Sequence, residues 1–360
     1  MGKYLKVFSF YTIIYFIILS ILIILTELTF GYWLDEYNFG PEMRGKRIQK
    51  IIINNNSKRI SFFKDFYGFR IKDENINEQY DPSIVKVVFN GGSTSEEMFL
   101  NYDDTIVGNL NKFLKDDNKD IKIYNGAVSG KSLVGNVNEF SRWFKNIPNF
   151  NPAIMIYYIG LNDRYIRKKS ERWHDYEIKK NFLENFYWNI TQKSILWELL
   201  KKAKDKFFYT EVLADKYFTF SEEGLKELAK NKIIKYDEAK LLYKEEEITK
   251  NEMLIINNFK KNLYKLKEQL NEWDIKPIFI TQITNDINGD KILFFLNNEL
   301  KEFCKINDYF VIKLDEIIKE PLYDSFIDTA HTNEAGSKKI AKIIYPYISD
   351  FLKINLVSNN

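Results

Sequence analysis

A single cysteine, Cys304, among 360 residues rules out an intrachain disulfide and reads as a small core residue. Histidine is nearly as scarce. His174 and His331 are the only two, and without a second cysteine the usual ligands of a zinc site are too few. No excess charge of one sign is present either: 53 basic residues interleave with 50 acidic ones, leaving a formal net charge of +3. That balance gives no electrostatic footprint for nucleic acid. Lysine runs such as KKAKDKFF read as solvated helix faces. No G-x-x-x-x-G-K-[ST] or G-x-G-x-x-G occurs, so the glycine-rich phosphate loops are excluded. The nucleophile elbow G-x-S-x-G is missing as well. Internal repeats and low-complexity linkers are absent.

What the chain does have is 45% apolar residues, enough for a sizeable core. Its longest hydrophobic run, VFSFYTIIYFIILSILIILT from Val7 to Thr26, carries no charge. About 20 such residues cross the hydrocarbon core as a helix. TELTFGYWL follows, with large residues where a signal peptidase needs small ones, so an uncleaved anchor is expected. Lys3 and Lys6 precede the run, and Glu27, Asp35 and Glu36 follow it. By the positive-inside tendency the N-terminus is cytoplasmic and the remainder extracytoplasmic. The lack of disulfides does not contradict that location, because large extracytoplasmic domains can fold on their cores alone.

Beyond the anchor (residues 1–30), residues 31–80 mix aromatics with polar turns such as IINNNSK and read as a juxtamembrane segment packing onto the main domain. From residue 84 onward, short apolar runs end in turn residues: IVKVVFN, IKIYN, AIMIYYI, KPIFITQ and YFVIKL. Near-continuous apolarity over such lengths suits strands buried on both faces of a parallel sheet. Helical patterns lie between them. Ile256, Phe259, Leu263, Leu266, Leu270 and Trp273 recur at intervals of three and four, an amphipathic helix. EAGSKKIAKIIYPYISDFLK reads as a terminal helix, bent or interrupted before Pro346. Strand alternating with helix predicts a doubly wound α/β sheet. Its core would be residues 81–165 and 276–352, with 166–275 a helical insertion that includes SEEGLKELAKNK, a capped-helix pattern. A lid, a stabilising element and a partner surface all remain open for that insertion.

Chemistry-bearing residues collect after these strands: GGST after the first, NGAVSG after the second, GLND after the third and DTAH shortly after the fifth. In open α/β sheets ligands sit outside the carboxyl ends of the strands, so the four segments land on one rim. Taken singly, each is ordinary turn or cap chemistry: Gly91 and Gly92 permit a tight turn, and Ser93 or Thr94 serves as an N-cap. Taken together they supply a nucleophile and its activators. A serine hydroxyl needs a base, and the base needs an orienting group. Asp328 and His331, three residues apart, share a face of a tight turn, so the carboxylate can hold one imidazole nitrogen and leave the other for Ser93. Asn162 and the backbone N–H of Gly130 are candidate donors to a developing oxyanion. Asp163 is assigned to holding its loop, and His174, inside the insertion, to structure or surface.

This set resembles the SGNH hydrolases, also called the GDSL family. FNGGSTS is similar to the first block, with Gly92 where the better-known form has Asp; YNGAVSG is similar to the second, IGLND to G-x-N-D, and DTAHTNEAG to D-x-x-H. Upstream, FYGFR, with Gly68 and Arg70, resembles a segment of membrane-anchored, extracytoplasmic members. The likeness covers roughly residues 65 to 165 and 276 to 350. It implies a flavodoxin-like three-layer α/β/α fold around a five-stranded parallel sheet and an acyl-ester hydrolase or acyltransferase needing no metal or organic cofactor. Ser93 would attack the carbonyl, His331 act as base and then acid, and Asp328 orient it, with the Ser93 N–H, Gly130 N–H and Asn162 amide forming the oxyanion hole. With the outward-facing anchor, the expected substrate is an O-acyl ester, acetyl foremost, on cell-envelope carbohydrate. O-acyl transfer to a surface glycan by the same site, and a non-catalytic envelope protein on the same fold, are the alternatives.

Overall fold

The computed structural model describes residues 2–31, 33–34, 49–55, 58–72, 86–165, 181–200, 234–319 and 325–357, a few single positions apart. His174 and the capped-helix pattern at 221–232 lie outside the described residues, as does much of the 166–275 insertion. The chain divides into two compact units: Met1–Pro41 with Lys179–Val212, and Glu42–Ile178 with Leu213–Asn360.

The larger unit is built on an eight-stranded sheet in the order β1-β2-β3-β5-β4-β6-β7-β8. Its five parallel strands are β4 (Val87–Gly91), β5 (Ile123–Asn125), β6 (Ile154–Ile159), β7 (Lys276–Thr281) and β8 (Phe310–Ile312). They are the five apolar runs read from the sequence. Numbered from β4, their order is 2-1-3-4-5, the flavodoxin-like winding, with its switch point between β4 and β6. Every residue of β4 and β6 is buried, as inner parallel strands require.

The five-stranded parallel sheet expected from the sequence is present, and among the described residues three further, antiparallel strands extend it to eight. The extra strands come from the segment read as juxtamembrane. β1 (Gln49–Asn55) and β2 (Lys58–Lys64) form a hairpin, and β3 (Arg70–Ile71) pairs antiparallel with both β2 and β5. The edge of β5 would otherwise present unpaired backbone N–H and C=O groups, and this segment pairs with it.

Alternate strand residues serve opposite faces. Phe89, Ile156 and Ile280 join one core with Ile106 and Leu110 of the helix Ile106–Asp116 and with Ile340 and Ile344 of the terminal helix. On the other face Tyr157 stacks on Phe279, which meets Phe303 of the helix Lys291–Ile306 edge-on. The amphipathic helix is Lys250–Glu272. It opens with a capping box between Thr249 and Glu252 and buries Ile256, Phe259, Leu263, Leu266 and Leu270. The terminal helix runs from Glu334 to Leu352 with Pro346 inside it, so it is not interrupted there. Packing of Ile340, Ala341, Ile344 and Ile348 on both sides of the proline outweighs one lost backbone hydrogen bond.

In the smaller unit, helix α1 spans Gly2–Phe30, and its stretch Ser9–Phe30, of mean hydropathy 2.5, is long and apolar enough to cross a membrane. The helix continues past the uncharged run that stops at Thr26 to the expected anchor boundary at residue 30, placing Glu27 in its last turn. The Glu27 carboxylate accepts hydrogen bonds from Ser194 Oγ (2.5 Å), the backbone N–H groups of Ile195 (3.1 Å) and Leu196 (3.2 Å), and Trp33 Nε1 (2.8 Å).

Candidate active site

β4 runs directly into a single helical turn, Ser93–Glu96. Gly91 makes the passage at φ 155°; a Cβ there would lie 2.3 Å from Ser95 Oγ and 2.5 Å from the Tyr158 carbonyl. The turn leaves Ser93 half-buried, while Ser95 is fully buried and out of reach of any substrate. At the other end of the unit's chain, a bridge between Phe326 and Thr332 closes the loop that carries Asp328 and His331.

That loop meets the serine. His331 Nε2 lies 2.8 Å from Ser93 Oγ, and His331 Nδ1 lies 2.6 Å from Asp328 Oδ2. The second carboxylate oxygen of Asp328 accepts the backbone N–H groups of Ala330 (2.7 Å) and His331 (2.6 Å). Burial pushes the Asp328 carboxyl up, but the hydrogen bonds and charge of His331, with the two backbone donors, outweigh it and hold the group below the usual carboxylate range. An ionised carboxylate fixes the imidazole so that its far nitrogen faces the hydroxyl.

The two candidate oxyanion donors flank the same turn. Gly130 adopts φ 78°, the left-handed region that favours glycine. Its neighbour Ser129 is held by Glu96, whose carboxylate accepts the Ser129 N–H at 2.8 Å and also its hydroxyl. Asn162 Nδ2 donates to the Lys131 carbonyl at 3.0 Å, one of the two N–H bonds an amide can give. A Cβ on Gly92 would fall 2.1 Å from this nitrogen. The glycine in the Asp position of the better-known motif therefore admits the Asn162 amide beside Ser93. Asp163 accepts the Leu133 N–H at 3.0 Å, at the start of the helix Leu133–Arg142. All five site residues read from the sequence thus lie around the ends of β4, β5 and β6 and the 325–332 loop.

Sequence reasoning left a supporting layer unread. Lys64, from β2, pairs with Glu96 at 2.7 Å, both side chains buried. Burial raises the Glu96 carboxyl, but Lys64 and Ser129 outweigh it and hold it below its ordinary value. Arg70, from β3, is fully buried and donates to the Glu96, Glu97 and Leu100 carbonyls, the Glu97 contact at 2.6 Å. Glu97, in the left-handed region at φ 50°, accepts from Ile106 N–H (2.6 Å), Ser337 Oγ and Thr332 Oγ1 (3.1 Å), so it joins the serine turn to the histidine loop. Burial pushes its carboxyl up to about 7 against these donors and Arg70. Gln282, at the end of β7, donates to Thr94 Oγ1 at 2.8 Å and accepts from Leu161 N–H, tying the serine turn to the Asn162 turn. The one sequence signal is SEE, beginning two residues after Ser93: two carboxylates entering an apolar stretch.

A hydroxyl, an oriented imidazole and an ionised carboxylate in line constitute the parts of acyl transfer through a serine. No protein-family model matches the chain, and neither does any curated protein. Solved structures do. The chain is similar to the lipase/acylhydrolase from Enterococcus faecalis, with TM-score 0.42 and 12% identity over 73% of this chain and 95% of that one. It is similar to the psychrotrophic esterase EstA from Pseudoalteromonas sp., with TM-score 0.39 and 11% identity over 74% and 98%. A member of the lipolytic G-D-S-L family from Veillonella parvula gives TM-score 0.39 and 11% identity over 72% and 96%. At these values the functional argument rests on the chain's own geometry.

Proposed function

We propose that the protein is an SGNH-type serine esterase that removes a short acyl group from O-acylated carbohydrate of the cell envelope. The observation that carries this reading is the continuous pair of contacts from Asp328 through His331 to Ser93, 2.6 and 2.8 Å long. In this reading Ser93 Oγ adds to the ester carbonyl as His331 Nε2 takes its proton. The negative oxygen is met by the Ser93 and Gly130 N–H groups and the Asn162 amide. His331 then returns the proton to the departing sugar oxygen, and water, deprotonated by the same imidazole, releases the acid from the acyl-enzyme. Asp328 stays ionised throughout.

The space beside the reacting pair supports a small acyl group. A cavity of about 10 Å³, bounded by Ser93, His331, Phe99, Leu100 and Ile327 among others, has room for about one water-sized group. The anchor supports the location: with Lys3 and Lys6 inside, the larger unit faces the envelope.

Spheroplasts carrying the full chain, given a membrane-impermeant O-acetylated polysaccharide, are expected to release free acetate without lysis. Acetate released only after lysis reverses the topology, and acetate passed to an added acceptor sugar identifies a transferase. No acyl chemistry before or after lysis on acetylated glycans or an activated acetyl ester overturns the proposal.

Asn162→Ala is expected to lower kcat on the activated ester by roughly 10²–10³, the worth of one oxyanion donor. Gly92→Ala should fall in the same range, because its methyl occupies the place of the Asn162 amide. Unchanged kcat in a folded Asn162→Ala variant would remove Asn162 from the site.

A further inference from the structure

The smaller unit has an apolar surface that the proposed chemistry does not use. Helix α2, the segment Phe182–Lys193, exposes Phe182 (82%), Leu183 (72%), Phe186 (57%) and Tyr187 (58%). At about 100° per residue these four and Ile190 fall within an arc of about 140°, one face of the helix. Leu199 and Leu200 add exposed apolar surface just beyond. An exposed cluster of large side chains on this scale marks a partner surface rather than scatter.

Its position says which partner. Helix α2 ends at Lys193, whose carbonyl lies 2.9 Å from where a Cβ on Gly31 would be, and the next residues, Ser194, Ile195 and Leu196, donate to Glu27. The C-terminal end of α2 is thereby fastened to the last turn of α1, where the apolar stretch Ser9–Phe30 stops. If α1 spans the bilayer, that turn stands at the boundary between acyl chains and headgroups. The residues on the exposed face, Phe, Leu and Tyr, are those that settle at this depth. The sequence brackets the segment with Lys179 and Lys180 before it and Lys201 and Lys202 after it, cations suited to anionic headgroups.

We propose that the 182–200 segment is a second membrane contact, an interfacial helix whose aromatic face enters the outer boundary of the bilayer that α1 crosses. The chain then leaves the membrane at Phe30 and returns to its surface between β6 and β7, so the larger unit is held to the lipid at two points along the sequence. This rests on the reading of α1 as a span, and the test separates the two.

The full chain is reconstituted in liposomes of phosphatidylcholine and phosphatidylglycerol with a nitroxide at one introduced cysteine: Phe186→Cys, Leu200→Cys, Leu19→Cys or Lys261→Cys. Cys304 is fully buried and stays unlabelled. Relaxation by oxygen and by a water-soluble nickel chelate gives the depth of each label. Expected are oxygen-dominated relaxation at 19, the same but shallower at 186 and 200, and nickel-dominated relaxation at 261. Nickel-dominated relaxation at 186 and 200 with 19 in lipid overturns the interfacial helix and leaves the span intact. Nickel-dominated relaxation at 19 overturns the span itself. Labels at 186 and 200 shielded from both reagents, with dipolar broadening between copies, show that the face is covered by a second chain and overturn the proposal.

Discussion

Ser93→Ala is expected to fold as the parent does and to lose at least about 10⁴-fold in kcat on any ester the parent cleaves. The substitution removes one oxygen from a half-buried side chain and leaves the backbone of the turn intact, including the Glu97 N–H bond to the Ser93 carbonyl at 2.9 Å. His331 loses its 2.8 Å partner but keeps Asp328, and its side chain is 26% exposed, so water satisfies the freed nitrogen. Thermal stability should therefore be nearly unchanged while covalent chemistry stops. A fluorophosphonate probe reads this directly: the parent is labelled and the variant is not. Equal labelling of both would mean that another group is the nucleophile.

Arg70→Met should cost about 3–5 kcal/mol of stability, the range seen when one member of a buried charged network is removed. Three carbonyls depend on this guanidinium: Glu96, Glu97 and Leu100. Each is left without that donor, and no water reaches a fully buried site to replace it. Burial pulls the guanidinium down to about 10, with Glu97 and Glu96 opposing, so it remains charged at neutral pH. Arg70→Lys should recover only part of the loss, since an ammonium is a point donor that cannot span carbonyls met by two separate nitrogens. Urea midpoints at unchanged slope measure the loss. Because these carbonyls close the turn that begins at Ser93, kcat should also fall at temperatures where the variant is fully folded, with KM little changed. A variant within about 1 kcal/mol of the parent, or one with parental kcat, would show that the β3 arginine is incidental to the turn.

These two residues illustrate what could and could not be read in advance. Ser93 was legible because its partners carry rare chemistry: of only two histidines, one has an aspartate three residues before it. The flavodoxin-like order was legible because buried parallel strands must be apolar on both faces. The role of Arg70 is not legible in the sequence, since its partners are backbone carbonyls, which no side chain announces. Nothing local marks Lys64 and Glu96 as partners; only pairing across β2 and the serine turn makes them a buried pair. The hairpin of β1 and β2 was hidden because its residues alternate too weakly to separate a strand from an aromatic-rich loop. Pro346 misled by its local rule, which the packing of its own helix overrides.

By itself the sequence determined the periodic elements, the apolar N-terminal helix and the rim on which serine, asparagine and histidine would meet. Those follow from backbone geometry, whose periods of 2 and 3.6 repeat within a few residues. Only the tertiary structure decided that eight strands share the sheet, that Lys64, Arg70 and Gln282 hold the serine turn, and that Glu27 fastens a segment 167 residues away. A buried polar group must find a partner, but which partner depends on where packing brings distant stretches together, and no local period records that.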